Sequence, residues 1–130
     1  MNMKCIPTKV HGILDYVVAI SLVLAPILFG FSEVGGAAVV VPTVLGIALF
    51  VYSLLTKYEW GVFKVFGMPY HLMIDMVAAI FLALSPFLFG FVDEAPNAWL
   101  PHVVVGIAVI LVVLFSEKQP GTVGAPADNR

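Results

Sequence analysis

The sequence contains few charged residues. Six Lys or Arg and eight Asp or Glu occur among 130 residues, so charged residues make up 11% of the chain, whereas soluble domains contain about a quarter. A water-soluble fold of this size needs more polar residues to cover its surface. The composition therefore excludes a soluble globular domain and a disordered chain. A net charge of −2 without a basic stripe excludes a nucleic-acid-binding protein.

Cysteine and catalytic motifs are also scarce. Cys5 is the single cysteine, so no internal disulfide can form. Ser21, Ser53 and Ser85 have no His/Asp arrangement of the nucleophilic type, no cofactor motif occurs, and the loops are too short for a soluble active site. The first apolar stretch contains Asp15 and no A-x-A site follows it, so we expect no signal-peptide cleavage. These absences predict a protein that is not an enzyme and has no cofactor or metal.

Long uncharged segments, by contrast, are abundant. Hydrophobic residues make up 62% of the chain, and the mean hydropathy is +1.08. Runs of 17, 23, 17 and 22 residues contain no charge: 16–32, 34–56, 76–92 and 95–116. A transmembrane helix needs roughly 20 apolar residues, and the runs lack the apolar–polar alternation of a membrane β-barrel. The sequence therefore predicts an all-α membrane protein with four transmembrane helices, at about residues 10–31, 34–56, 70–91 and 97–116.

The chain contains an internal duplication. Residues 11–31 and 71–91 align after a shift of 60 residues, with 12 of 21 positions identical. Chance apolar similarity would not place His, Asp, Pro and Gly at one common offset. We therefore predict two parallel two-helix repeats of the same orientation, residues 10–56 and 70–116, related by pseudo-two-fold symmetry about the membrane normal. The matched polar and special residues are His11 and His71, Asp15 and Asp75, Pro26 and Pro86, and Gly30 and Gly90.

The basic residues predict an orientation in the membrane. All six precede the first helix, lie between the second and third, or follow the fourth. The positive-inside rule then places the N-terminal segment 1–9, the connector 57–69 and the tail 117–130 in the cytoplasm. We expect the connector to lie along the membrane interface, with Tyr52 and Tyr58 in an aromatic belt. The tail contains two prolines and two glycines, and we expect it to be mobile.

Two histidine–aspartate pairs are the candidate functional residues. His11 and Asp15 are four residues apart, as are His71 and Asp75, so each pair lies on one helix face. A carboxylate that faces lipid is costly, so both aspartates are expected to face the bundle. If the first and third helices pack together, the repeat brings each histidine near the aspartate of the other repeat. We favour an interhelical hydrogen-bond clamp, with ion or proton handling and a metal or haem site as alternatives.

Proline and glycine recur near the ends of the first and third helices. Pro26 and Pro86 each remove one backbone hydrogen bond, which favours a fixed helix bend over a gating hinge. Gly30 and Gly90 suit the left-handed conformation that commonly ends a helix. His102 lies close to a tryptophan, and we expect it at the outer membrane interface.

These features resemble the SPW-repeat family of bacterial integral membrane proteins. Each repeat contains a small residue, a proline and a bulky residue before a Gly-Phe ending, here A-P-I at 25–27 and S-P-F at 85–87. The tryptophan that names the motif is absent from both. The resemblance covers residues 9–116 and includes L-L-T-x-Y-E at 54–59 and M-P-x-H at 68–71. It implies a four-helix bacterial membrane protein and supplies no activity.

The sequence thus favours a small bacterial inner-membrane protein of structural or accessory type with no catalytic activity. Its expected partners are the lipid bilayer and either a second copy of the chain or another membrane protein. The first alternative is a proton- or ion-linked transporter or channel component that uses the two His/Asp pairs. The second alternative is a haem- or metal-binding membrane redox component.

Overall fold

The computed structural model describes residues 4–119, and this part of the chain is helical. Short 3-10 turns follow the first and third helices, and the described residues form isolated bridges but no β-strand. The four helices are each long and apolar enough to cross a membrane. The predicted all-α class with four helices of membrane-spanning length is therefore confirmed. The helices are α1 (Thr8–Leu28), α2 (Gly36–Leu54), α3 (Met68–Leu88) and α4 (Pro96–Phe115).

The ends of α1 and α3 are set by proline and glycine. Each helix continues through its proline, Pro26 or Pro86, and ends two residues later. Gly30 and Gly90 then adopt φ values of +73° and +77°, a left-handed conformation that turns the chain out of the helix. Compared with the approximate bounds expected from the sequence, each of the two helices starts two residues earlier and ends three residues earlier. The mobility expected of the tail falls largely on residues outside the described range.

Two helical hairpins build the bundle. α1 packs mainly against α2, and α3 mainly against α4, whereas α2 and α3 make a smaller contact. Glycines bring the paired backbones together. A Cβ atom added at Gly46 would lie 2.7 Å from the carbonyl oxygen of Ala19, and one added at Gly106 would lie 2.7 Å from that of Ala79. Such small residues at helix crossings are typical of transmembrane helix pairs.

The start of α1 and the end of α4 lie at the same end of the bundle. The backbone amides of Cys5 and Ile6 donate to the carbonyl of Phe115, and the amide of Glu117 donates to the carbonyl of Ile6. The connector 57–69 hydrogen-bonds to the last turn of α2 before it enters α3. α1 and α3 thus begin, and α2 and α4 end, at one end of the bundle, which we call the polar end. The axis that would relate the two repeats stays a prediction.

Apolar side chains fill the interior and also cover the outer faces of the helices. Val77 and Ile27 are 66% and 74% exposed, respectively. So many exposed large apolar side chains on the outer surface indicate contact with lipid rather than with water. Among the described residues, most of the buried apolar side chains group into three clusters: Tyr58, Met68, Leu72 and Val113; Leu22, Val41 and Leu82; and Ala25, Phe31, Ala38, Phe91 and Ala98.

Candidate functional site

Two histidines and two aspartates meet inside the bundle near the polar end. His11 Nε2 lies 2.9 Å from Asp75 Oδ2, and His71 Nε2 lies 2.9 Å from Asp15 Oδ2. Within α1 and within α3, the histidine–aspartate distance is 3.2 Å. All four side chains are buried, with exposed fractions between 0% and 6%. We call these four residues the His/Asp cluster. Its crossed contacts connect α1 with α3, which is the proximity that the repeat predicts.

A hydroxyl group lies within hydrogen-bond distance of the Nδ1 atom of each imidazole, on the side away from the carboxylates. His11 Nδ1 lies 2.6 Å from Ser116 Oγ, and that hydroxyl donates to the carbonyl of Val112 at 2.6 Å. His71 Nδ1 lies 2.6 Å from Thr56 Oγ1, which donates to a carbonyl one turn earlier in the chain. Because each hydroxyl gives its one proton to the backbone, it accepts a hydrogen bond from the imidazole. The network therefore assigns a proton to Nδ1 of both histidines.

The other ring nitrogen of each imidazole, Nε2, is the inner nitrogen and faces two carboxylates. Each Nε2 atom lies 2.9 Å from an oxygen of the aspartate in the other repeat and 3.2 Å from an oxygen of the aspartate in its own. A bare nitrogen lone pair would be repelled by both oxygens, so a proton or a cation must lie between them. One ligand atom from each of the four side chains lies within 4.8 Å of all the others. The cluster can therefore share protons between imidazole and carboxylate, or coordinate a metal ion.

Two tyrosines donate hydrogen bonds to the carboxylates. The Tyr58 hydroxyl donates to Asp15 Oδ2 at 2.7 Å, and the Tyr52 hydroxyl donates to Asp75 Oδ1. Tyr58 lies in the connector and is 1% exposed. Burial raises the pKa of its phenol, and the Asp15 carboxylate raises it further, so the phenol remains a donor. The expected place of Tyr58 in an interfacial belt is wrong, because its side chain is buried in the protein, whereas Tyr52 is half-buried and its place in the belt stays a prediction.

The connector packs over the cluster at the polar end. Thr8 Oγ1 donates to Glu59 Oε1 at 2.7 Å, and Trp60 Nε1 donates to the carbonyl of Lys9 at 2.9 Å. Gly12 gives the connector room, since a Cβ atom added there would lie 2.6 Å from Trp60 Cδ1. The connector thus folds back onto α1 and contributes to the burial of the cluster.

His102 does not occupy the position expected from the sequence. It is buried near the other end of the bundle, where its Nε2 donates to the carbonyl of Ala38 at 3.0 Å. Its ring contacts Phe31 and Phe91. It therefore belongs to the protein interior and not to the outer interface. The four residues expected to shape the helix ends also lie at this end, away from the cluster: Pro26, Pro86, Gly30 and Gly90.

The hydroxyl groups that hold the histidines were not identified from the sequence, although a signal for them exists. Thr56 and Ser116 are separated by 60 residues, the same offset that relates the two histidines. The tyrosines have no such signal, because the residues 60 positions after Tyr52 and Tyr58 are Val112 and Lys118. The site therefore combines a duplicated part with a part that only the first repeat and the connector supply.

We expect Tyr58→Phe to lower the free energy of unfolding by about 1–3 kcal/mol, because the buried Asp15 carboxylate loses a hydrogen-bond donor. The matched control is Tyr70→Phe, which alters an exposed tyrosine and should change stability by less than about 0.5 kcal/mol. Thermal unfolding in detergent measures both variants. Equal stability of Tyr58→Phe and the wild type would contradict the assigned hydrogen bond.

Comparison with known proteins agrees with the fold and with the motif resemblance. The family model of the SPW repeat domain matches residues 9–116. This span includes nearly all of the four helices and the whole His/Asp cluster. No curated protein and no solved structure matches the chain significantly. Because the match covers most of the sequence, the chain belongs to the SPW repeat family of membrane proteins.

Proposed function

We propose that this SPW repeat protein is a non-enzymatic membrane protein of structural or accessory type, whose His/Asp cluster joins its two hairpins. The observation that carries the proposal is the pair of crossed contacts, His11 with Asp75 and His71 with Asp15, each at 2.9 Å. α1 and α3 otherwise pack mainly against the other helix of their own hairpin. Polar contacts between helices in a membrane stabilise by about 0.6–2 kcal/mol each, so the cluster is a specific link between the hairpins.

The surroundings of the cluster support a joining role. Its side chains are almost fully buried, which leaves little access for a substrate. A buried apolar layer of Leu22, Val41 and Leu82 lies farther along the helices, between the cluster and the opposite end. A proton path through one chain would have to cross this layer. The alternative role in proton or ion transport would therefore require a homo-oligomer.

The double variant Asp15→Asn/Asp75→Asn tests the proposed role. Asparagine keeps the side-chain size and removes the negative charge, so we expect a lower thermal unfolding temperature in detergent. We expect no change in proton flux across liposomes at about pH 6 and about pH 8, on either side of the ordinary histidine pKa. Glu33→Gln is the control, because it removes an exposed carboxylate at the opposite end. A double variant that is fully stable but loses a flux shown by the wild type would contradict the proposal and favour transport.

The proposed location is a bacterial inner membrane with both termini in the cytoplasm. Basic residues lie at the polar end, where Lys4 Nζ donates to the carbonyl of Leu114 and Lys64 Nζ to that of Tyr58. The loops at the opposite end carry only acidic charges. This asymmetry supports a cytoplasmic polar end by the positive-inside rule.

Cysteine labelling in intact cells tests this orientation. In a Cys5→Ser background, Glu33→Cys and Glu94→Cys are expected to react with a membrane-impermeant maleimide added outside the inner membrane. Lys118→Cys is expected to react only after the membrane is made permeable. The reverse labelling pattern would contradict the orientation.

An accessory role implies contact with another membrane protein or with a second copy of the chain. The helices offer exposed apolar side chains for such a contact, including Val77 and Phe87. The mass of the native protein in lipid nanodiscs, together with any protein that copurifies, distinguishes a lone structural protein from an accessory one.

A further inference from the structure

The His/Asp cluster has the donor atoms and the shape of a metal site. We infer that it binds one divalent transition-metal ion, with zinc as the best match. The ligands are Nε2 of His11 and His71 and one carboxylate oxygen each from Asp15 and Asp75. This inference rests on the proposed joining of the hairpins at the cluster, because the ion would be the bond between them.

The distances between the four ligand atoms fit a tetrahedral ion after a small adjustment. All four atoms lie within 4.8 Å of one another, and the imidazole–carboxylate distances are 2.9 and 3.2 Å. Asp75 faces both histidines with Oδ2, whereas Asp15 faces His11 with Oδ1 and His71 with Oδ2. Zinc bonds to imidazole nitrogen and carboxylate oxygen are about 2.0–2.2 Å long, which places tetrahedral ligands roughly 3.3–3.6 Å apart. The imidazole–carboxylate pairs therefore need outward shifts of a few tenths of an ångström, and a pair near the 4.8 Å limit needs an inward shift of about 1 Å, to reach tetrahedral spacing.

The inner nitrogen of His71 is a second, independent sign of a ligand. His71 is fully buried, and among residues 4–119 its Nε2 has no hydrogen-bond partner. Asp15 Oδ2 lies 2.9 Å away, but in a direction that does not suit a hydrogen bond. A buried imidazole nitrogen that faces two carboxylate oxygens without a well-directed hydrogen bond is costly. Coordination of an ion at the centre of the cluster satisfies it.

The groups around the four ligands hold them as metal ligands are usually held. Nδ1 of each histidine donates to a hydroxyl, that of Ser116 or of Thr56, so each Nε2 can present its lone pair to an ion. Both carboxylates also accept a phenolic hydrogen bond, from Tyr58 or Tyr52. Such hydrogen bonds fix the histidine tautomer and the direction of each ligand.

The charge of the cluster suits a divalent cation. When the two imidazoles are neutral, as metal ligands must be, the two carboxylates carry two negative charges that either one divalent ion or two protons can balance. Uncompensated buried charges are strongly destabilising. A divalent ion makes the buried group neutral without a further counter-ion.

The ligand types favour a zinc-like ion over other occupants. Two imidazoles and two carboxylates, all from the protein, form a closed four-coordinate site of the structural kind. Magnesium and calcium prefer about six or more oxygen ligands. A haem between His11 and His71 does not fit, because the carboxylates of Asp15 and Asp75 occupy the space around the Nε2 atoms that a porphyrin plane would need.

Metal analysis of the full chain tests the inference. The protein is purified without a polyhistidine tag or chelator, and elemental analysis is expected to find about one zinc or similar ion per chain. After chelation, added Co²⁺ should give the intense visible absorption of a tetrahedral site. Chelation should lower the thermal unfolding temperature, and Zn²⁺ but not Mg²⁺ should restore it, since an ion that binds only the folded state stabilises it.

Three variants make the test specific. Asp75→Asn removes one anionic ligand and should weaken Zn²⁺ and Co²⁺ binding by more than about 100-fold. Ser116→Ala keeps all four ligands and removes the hydroxyl that holds His11, so a loss of about 10-fold or more is expected, and this variant remains informative if Asp75→Asn does not fold. His102→Gln alters a histidine outside the cluster and should bind like the wild type.

The possible results separate the metal site from the clamp. Wild-type protein without metal and without a Co²⁺ spectrum overturns the metal inference. Equal Zn²⁺ affinity of Asp75→Asn and the wild type also overturns it, because the ion is then adventitious. Neither result affects the clamp, which instead fails if metal-free cluster variants are as stable as the metal-free wild type.

Discussion

His71→Ala is expected to lower the free energy of unfolding by about 3–5 kcal/mol, because it removes one partner from a buried charged cluster. His71 is fully buried, and its Nε2 lies 2.9 Å from Asp15 and 3.2 Å from Asp75. The substitution also removes the hydrogen bond between Nδ1 and Thr56. Unfolding with increasing SDS in mixed micelles measures the loss.

His102→Ala is the matched control, because it truncates another buried histidine of the same bundle. His102 hydrogen-bonds to the carbonyl of Ala38 and not to a carboxylate of the described residues, so its loss leaves no carboxylate unpaired. We expect a loss of about 1–3 kcal/mol for this variant. A loss for His71→Ala no greater than for His102→Ala would contradict the energetic role of the cluster.

Gly106→Leu is expected to force apart the hairpin of α3 and α4 and to lower the free energy of unfolding by about 3 kcal/mol, at the upper end of overpacking costs. A Cβ atom at this position would lie 2.7 Å from the carbonyl oxygen of Ala79 and 2.8 Å from the backbone nitrogen of Ala83. Backbone atoms of a packed helix cannot move aside as the end of a flexible side chain does. The two helices must therefore separate. SDS titration of the purified variant measures the effect.

Val104→Leu is the control for this substitution, because it also enlarges a side chain of α4 but at an exposed position. We expect it to change stability by less than about 0.5 kcal/mol. Gly46→Leu should resemble Gly106→Leu, since a Cβ atom there would lie 2.7 Å from the carbonyl oxygen of Ala19. Equal stability of Gly106→Leu and Val104→Leu would contradict the close backbone contact.

The helices were predictable from the sequence because lipid imposes a simple requirement on it. A spanning segment must be apolar over its full length and must satisfy its own backbone hydrogen bonds. The uncharged runs therefore located all four helices. The exact ends depend on local backbone geometry, such as the positive φ of Gly30 and Gly90, which composition does not reveal.

The pairing of the two halves was predictable because the duplication repeats polar residues as well as apolar ones. His11 and Asp15 recur at the same offset as His71 and Asp75. A buried carboxylate in a membrane needs a partner, and the other repeat offers the nearest one. The crossed contacts follow from these two facts together.

The remaining hydrogen bonds of the site depend on contacts that hydropathy does not encode. Tyr58 reaches Asp15 only because the connector folds back onto α1, where Gly12 leaves space for it. An amphipathic tyrosine suits a membrane interface equally well, so residue type alone favoured the wrong position for Tyr58. The position of His102 was predicted wrongly because hydropathy does not indicate its hydrogen bond to the carbonyl of Ala38 on α2, which is 64 residues away in the chain.

A double-mutant cycle between His11 and Asp75 tests most directly whether the cluster joins the two hairpins. His11→Ala, Asp75→Ala and the double variant are unfolded under one set of conditions, and the coupling energy is obtained from the three losses of stability. The two side chains belong to different hairpins and lie 2.9 Å apart, so we predict a coupling of at least about 1 kcal/mol. Losses that add to within about 0.3 kcal/mol would show that the hairpins are held together without the cluster and would contradict its proposed role.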